Sequence, residues 1–257
     1  MILSRISQAI RAQNWFAVAI EFVIVILGVV IGFQVNGWAE RQDEDRRAAV
    51  YLDRLLSDLE TNEMRFTTAY AFREQVRDLG MEALSYASGE AEAPSDWRVI
   101  LAYFNASQAG GAEPVDATYR EMLATGDLDL VRSVQLRGLL ASYYTSTGFS
   151  EITDSLPAYR ETVRGIIPID LQTYIWENCW QSIVGRTQRL IDCDGPETTD
   201  PGRISALATT LIGHEQVNAE LHFWVSNQYA ALTIHQAQID QTAEALSALR
   251  DLIGEIE

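Results

Sequence analysis

The sequence predicts an all-α protein: one N-terminal transmembrane helix continuing into an antiparallel helical bundle with a long heptad-patterned C-terminal helix. Three observations carry that prediction. From Trp15 to Val35 the chain is apolar apart from Glu21 and Gln34, which is enough residues to cross a bilayer. Beyond that segment, apolar residues recur at steps of three and four, the period of a helix face. No stretch of useful strand length alternates polar with apolar residues. The expected organisation is a short basic tail (1–14), a transmembrane helix (15–38) and an acidic helical domain (39–257).

The first 14 residues, MILSRISQAIRAQN, hold Arg5 and Arg11 and no acid. Their Ile2, Leu3, Ile6 and Ile10 suit a short amphipathic turn on the membrane surface. The span follows, bracketed by Trp15 and Trp38, which lie ~34 Å apart at 1.5 Å per residue. That separation puts an aromatic anchor at each membrane interface. The apolar run is too long for a signal-peptide core, and no small-x-small cleavage site follows it, so an uncleaved anchor is expected. Glu21, Val25, Gly28 and Gly32 step by four, three and four and therefore share one face. Gly28 and Gly32 make a Gly-x-x-x-Gly, which lets two helix backbones approach closely. One reading is a helix that self-associates or docks on another membrane protein with Glu21 in the contact. The other is that Glu21 marks the interface and the glycines are ordinary for a membrane helix.

Net charge is −17, and nearly all the acid excess lies beyond residue 39. So acidic a domain repels phosphate backbones, so nucleic acid is not expected as a partner; the bilayer, a second copy or another membrane protein is. No lysine occurs. Arginines flank the span on both sides. The uniformly basic tail, the acidic bulk and a cysteine pair favour a cytoplasmic N-terminus and a periplasmic domain in a bacterial inner membrane. Cys179 and Cys193 are expected to form a disulfide there; two separate buried thiols are the alternative.

The span is expected to continue as helix, since no proline occurs before Pro94 and Leu52, Leu55, Leu56, Leu59, Phe66, Tyr70 and Val76 keep helical spacing. SGEAEAPSD (88–96) breaks it, and Ser95 caps a short helix through Asn105. QAGGAEP (108–114) reads as a loop. A helix then ends at Thr125-Gly126, the turn DLDLV follows, and Ser133 caps the next helix. Pro157 and Pro168 punctuate the middle. Asp200 caps a final helix with Pro201 at its first position. Over about 201–256, Ile204, Leu207, Leu211, His214, Asn218, Leu221, Val225, Gln228, Leu232, His235, Ile239, Thr242, Leu246, Leu249, Ile253 and Ile256 alternate steps of three and four without a slip, a heptad seam. Its polar members fix register at some cost in stability.

Two stretches together resemble a family of uncharacterised bacterial single-pass membrane proteins, a domain of unknown function. One is EFVIVILGVVIGFQVNGWAE, with Glu21 opening the span, Leu27-Gly28 in its middle and Asn36, Trp38 and Glu40 closing it. The other is TYREMLATGDLDLVRSVQLRGLLASYY, with Tyr119, Glu121, Gly126, Leu128, Leu130 and Tyr143-Tyr144; Met122 stands where the family pattern has Leu. The resemblance implies a short tail, one span and a helical domain. It implies no activity and carries over no catalytic or ligand residue.

Candidate chemistry is sparse, and no enzyme activity or cofactor is expected. His214-Glu215-x-x-Asn218 is similar to His-Glu-x-x-His but has Asn for the second ligand, and His222 is two turns away. Asp192, Asp194, Gly195, Glu197 and Asp200 lack the alternating order of an EF-hand loop. No metal site is expected. Tyr174, Trp176, Trp180 and Trp224 are the candidates for an apolar ligand pocket, which would make the chain a membrane-anchored sensor; core packing is the competing account.

Overall fold

A computed structural model describes residues 15–146, 156–183 and 188–256. The basic tail lies outside the described residues, as does the Trp15 side chain. The chain divides into two compact units, Met1–Tyr51 and Leu52–Glu257.

In the first unit every described residue belongs to helix α1, which spans Trp15–Ser88. Among the described residues this is one helix long and apolar enough to cross a membrane, and its apolar window is not buried by protein. Phe22, Ile24, Phe33 and Val35 all stand open. Such a surface in water would be severe, because exposed apolar area costs about 25 cal/mol per Å².

The second unit is all-α. The Leu52–Ser88 part of α1 buries Leu52, Leu55, Leu59, Asn62, Phe66, Ala69, Phe72, Arg73, Val76 and Ala83, a stripe at steps of three and four. Helix α2 (Asp96–Ala106) is buried on every side from Val99 to Ala106. Its sequence VILAYFNA has no polar face, which suits a central helix and no other position. Ser95 caps it, accepting from Arg98 N at 3.1 Å. Helix α3 (Ala117–Thr125) ends at Gly126, whose φ of 78° is the left-handed conformation that favours glycine. A 3₁₀ turn at Asp127–Leu130 leads to α4 (Val134–Ser146), where Ser133 Oγ accepts from Leu136 N at 3.2 Å. Helices α5 (Ala158–Ile166) and α6 (Ile169–Asn178) follow. Among the described residues strand pairing is confined to one hairpin, β1 (Trp180–Ser182) against β2 (Gln188–Leu190). Gln75 of α1 grips β2 from the side: its carboxamide donates to Leu190 O at 3.1 Å and accepts from Leu190 N at 3.0 Å.

The expected single helix over 201–256 is two helices, α7 (Pro201–Ile212) and α8 (Glu215–Ile256). Asp200 caps α7 as expected, accepting from Gly202 N at 3.2 Å. His214 breaks the chain and then caps α8, its Nδ1 accepting from Val217 N at 3.3 Å. The heptad seam survives within α8, where Leu221, Val225, Gln228, Leu232, His235, Thr242, Leu246 and Leu249 are buried. The second part of α1 runs antiparallel to α8. Glu60 pairs with Arg250 at 2.9 Å, Arg73 Nη1 donates to Gln228 Oε1 at 3.1 Å, and Gly80 lies against Val225. A Cβ at Gly80 would sit 2.5 Å from Val225 Cγ2, so glycine sets how closely the two helices approach. Helix α7 packs on α2, while α4 and α5 pack on α8.

Candidate functional site

The first candidate is the open face of the apolar helix. Glu21, Gly28, Gly32 and Trp38 are all exposed. A Cβ built on Gly28 or Gly32 meets no atom within 4 Å among the described residues, so none of these covers the glycine stripe. Beyond it Arg41 donates to Gly37 O at 2.8 Å, and Asp43 pairs with Arg46 at 3.4 Å and Arg47 at 3.5 Å. These are exposed pairs of little energetic weight.

The cysteines come together as expected. Cys179 is fully buried at the end of α6, and its Cα lies 5.3 Å from that of Cys193, bonded as a disulfide across the base of the hairpin. The loop after Cys193 is fastened elsewhere too. Trp97 Nε1 donates to Cys193 O at 2.9 Å, Tyr174 hydroxyl to Asp194 O at 3.0 Å, and Gly195 lies flat on the Trp97 ring. Those contacts explain the acidic loop as a fastened segment. Among the described residues no group of three or more His, Cys, Asp or Glu side chains could hold a metal ion.

The four aromatics are held in different contacts. Trp224 is buried under α2 with its Nε1 donating to Ala106 O at 2.8 Å, and Arg73 lies 5.8 Å from its ring centroid. Tyr174 meets Trp97 edge-on at 5.7 Å. Trp176 packs edge-on against Phe104 at 5.8 Å and Trp180 at 5.2 Å, and Trp180 donates to Gln188 at 2.9 Å. Trp224 belongs to the core, whereas Tyr174, Trp176 and Trp180 are half-buried and pack against its edge. Asn218, the residue in the zinc-ligand position, is occupied as well: it accepts from Tyr103 hydroxyl at 2.6 Å and donates to Ile212 O at 2.8 Å.

A cavity of about 260 Å³ opens between α1, α2 and β2, lined by Gln75, Leu79, Glu82, Arg98, Asn105 and Asp192 among others. Arg98 is bidentate to Glu82, at 2.6 and 2.5 Å, and reaches Asp192 at 2.8 Å. Tyr86 donates to Glu82 as well. Burial pushes the Glu82 carboxyl up, but the Arg98 and Tyr86 hydrogen bonds outweigh it and hold it below its ordinary range. The same burial and the Glu82 contact push Tyr86 up to about 12. Glu82 and Arg98 belong to different helices, so no local motif announced the pair.

No family model, curated protein or solved structure matches this chain.

Proposed function

We propose that the chain is a single-pass inner-membrane protein with a cytoplasmic N-terminus and a periplasmic helical domain. It acts as a non-enzymatic interaction or scaffold subunit. One observation carries the reading: the apolar helix is exposed on all sides, with Gly28 and Gly32 open on the face that also bears Glu21. Lipid satisfies most of that surface, and a second helix satisfies the glycine stripe, where small residues allow close backbone contact. The occupant proposed first is a second copy of this chain. The heptad seam of α8 takes no part, because its residues are already buried against the chain's own helices. The Cys179–Cys193 disulfide supports the periplasmic side, since such bonds persist in oxidising compartments. Membership of the uncharacterised single-pass family belongs to the same proposal.

The test is inter-chain cross-linking of the full chain in native membranes, with Gly28→Leu/Gly32→Leu beside wild type. Dimers that disappear in the variant support the glycine face. Dimers that persist undiminished refute it. A wild type that never cross-links to itself refutes self-association and leaves another membrane protein as the partner. Maleimide labelling with and without reductant, beside protease treatment of spheroplasts, tests topology: thiols that label freely, in a domain protected from outside protease, invert it.

A further inference from the structure

The last turn of α2 is ringed by side-chain donors. Tyr159 hydroxyl donates to Tyr103 O at 2.7 Å, Trp224 Nε1 to Ala106 O at 2.8 Å and Arg160 Nη1 to Ser107 O at 2.9 Å. Carbonyls at a helix C-terminus need such partners. Two buried donors remain after these bonds are made. Arg160 Nη1 also donates to Gln108 Oε1 at 3.3 Å. A guanidinium can only donate, so the Gln108 amide is fixed with its Nε2 turned away from Arg160. Gln108 is 1% exposed, and that Nε2 has no partner among the described residues. Arg164, one turn beyond Arg160, donates Nε to Ser107 Oγ at 3.0 Å. Its guanidinium lies 4.6 Å from the Phe104 ring centroid and 5.2 Å from that of Trp176. Its Nη2 is buried and likewise lacks a partner among the described residues.

Charge makes the arrangement unusual. The chain holds 36 acids to 19 basic residues, yet no carboxylate among the described residues faces Arg160 or Arg164. Like charges four residues apart on a helix repel. The C-terminus of α2 offers them the equivalent of only about half a negative charge. Burial, and then the Arg160 charge, push the Arg164 guanidinium down to about 9.

We propose that Arg160, Arg164 and Gln108 form a binding site for a small soluble oxyanion, a carboxylate or phosphate group, at the C-terminal end of α2. The ligand's oxygens accept from Arg164 Nη2 and Gln108 Nε2, and its charge offsets the arginine pair. Phe104 and Trp176 hold the guanidinium plane, which is the fixed fork that oxyanions match. The site owes nothing to the membrane-helix face and stands or falls separately from it.

The experiment is thermal unfolding of the full chain in detergent micelles, at constant ionic strength, in sodium chloride, sodium phosphate or sodium succinate. A midpoint rise that saturates with phosphate or succinate is expected, reaching about 5–10 °C at a hundredfold excess over Kd, with none in chloride. The more effective anion identifies the ligand class. Arg164→Gln weakens apparent affinity about tenfold or more, through loss of charge-assisted bonds. That variant also disturbs the packing over Phe104, so Gln108→Glu is the second. It places a carboxylate beside Arg160 and Arg164, raises the midpoint without added anion and abolishes the response. The proposal is overturned by a wild-type midpoint indifferent to phosphate and succinate, by an equal response to chloride, or by a response kept in full in either variant.

Discussion

Opening the Cys179–Cys193 bond should lower the stability of the Leu52–Glu257 unit by about 3 kcal/mol. The bond joins residues 14 apart in sequence, and closing a loop of that size removes about 10 cal/mol/K of entropy from the unfolded chain. Native contacts around the loop do not reduce the effect. Trp97 on Cys193 O, Tyr174 on Asp194 O and Arg98 on Asp192 hold the folded state only, whereas the cross-link acts on the unfolded one. For a unit of this size each kcal/mol moves the midpoint by about 2–4 °C, so reduction should lower it by roughly 6–12 °C. The assay is thermal unfolding followed by circular dichroism, with and without reductant, beside Cys193→Ala. That variant is preferred to a change at Cys179, whose full burial would add a cavity or an unmatched hydroxyl. The substituted protein should match the reduced wild type and ignore reductant. A midpoint unmoved by reduction, with thiol release verified by labelling, would refute the chain-entropy reasoning and imply an unfolded state already ordered around the hairpin.

Three further outcomes are expected. Asn62→Ala should cost about 2–3 kcal/mol in chemical unfolding, because the buried Asn62 carboxamide donates to Val115 O at 3.1 Å and accepts from Val115 N at 2.6 Å, and alanine strands both groups; loss of less than about 0.5 kcal/mol would contradict it. Glu82→Gln should flatten the acid limb of stability. The folded carboxyl titrates below the ordinary value, so its contribution is complete above the unfolded carboxylate range and fades as pH falls through the lowered folded value; for a partly exposed pair a loss of up to about 1 kcal/mol is expected near neutral pH, read from midpoints across acidic pH. Gly80→Ala should destabilise despite the roughly 1 kcal/mol gain in helix propensity, since its Cβ would overlap Val225 Cγ2 by more than 1 Å, and Val225→Ala beside it should recover part of the loss in a double-mutant cycle.

Much of the fold was legible because it rests on short-range chemistry. Ser95, Ser133 and Asp200 each place an oxygen before a run of helix formers, and each accepts the backbone hydrogen bond that its position implies. Gly126 follows the last periodic residue of α3 and adopts the left-handed φ that ends it. The break at His214 was not legible, for two reasons. An isolated glycine such as Gly213 is tolerated inside a helix, and the three-four stepping of Leu211, His214, Asn218 and Leu221 passes through the break without a slip. Histidine is also a poor predictor of a cap; its Nδ1 serves here only because the backbone has already turned. The Glu82–Arg98–Asp192 cluster joins residues 16 and 94 apart, and no spacing rule anticipates such pairs.

The deeper gap is between a stripe and its occupant. Periodicity identifies a face that must be covered, yet it is silent on what covers it. The α8 seam and the Glu21/Gly28/Gly32 face read alike as association surfaces, and they end differently. The seam meets the stripe of α1, whose polar members lie beside its own: Arg73 donates to Gln228, and Gly80 admits Val225. Two matched irregular stripes in one chain find each other, because closing a long loop costs only a slowly growing entropy while burial repays it along the whole seam. The Glu21/Gly28/Gly32 face has no such counterpart among the described residues. The chain offers one helix apolar enough for a bilayer among its described residues, and nothing within 4 Å of a Cβ on Gly28 or Gly32. On the proposed reading that face, unlike the seam, is completed by a second molecule, because small residues let another helix backbone approach closely.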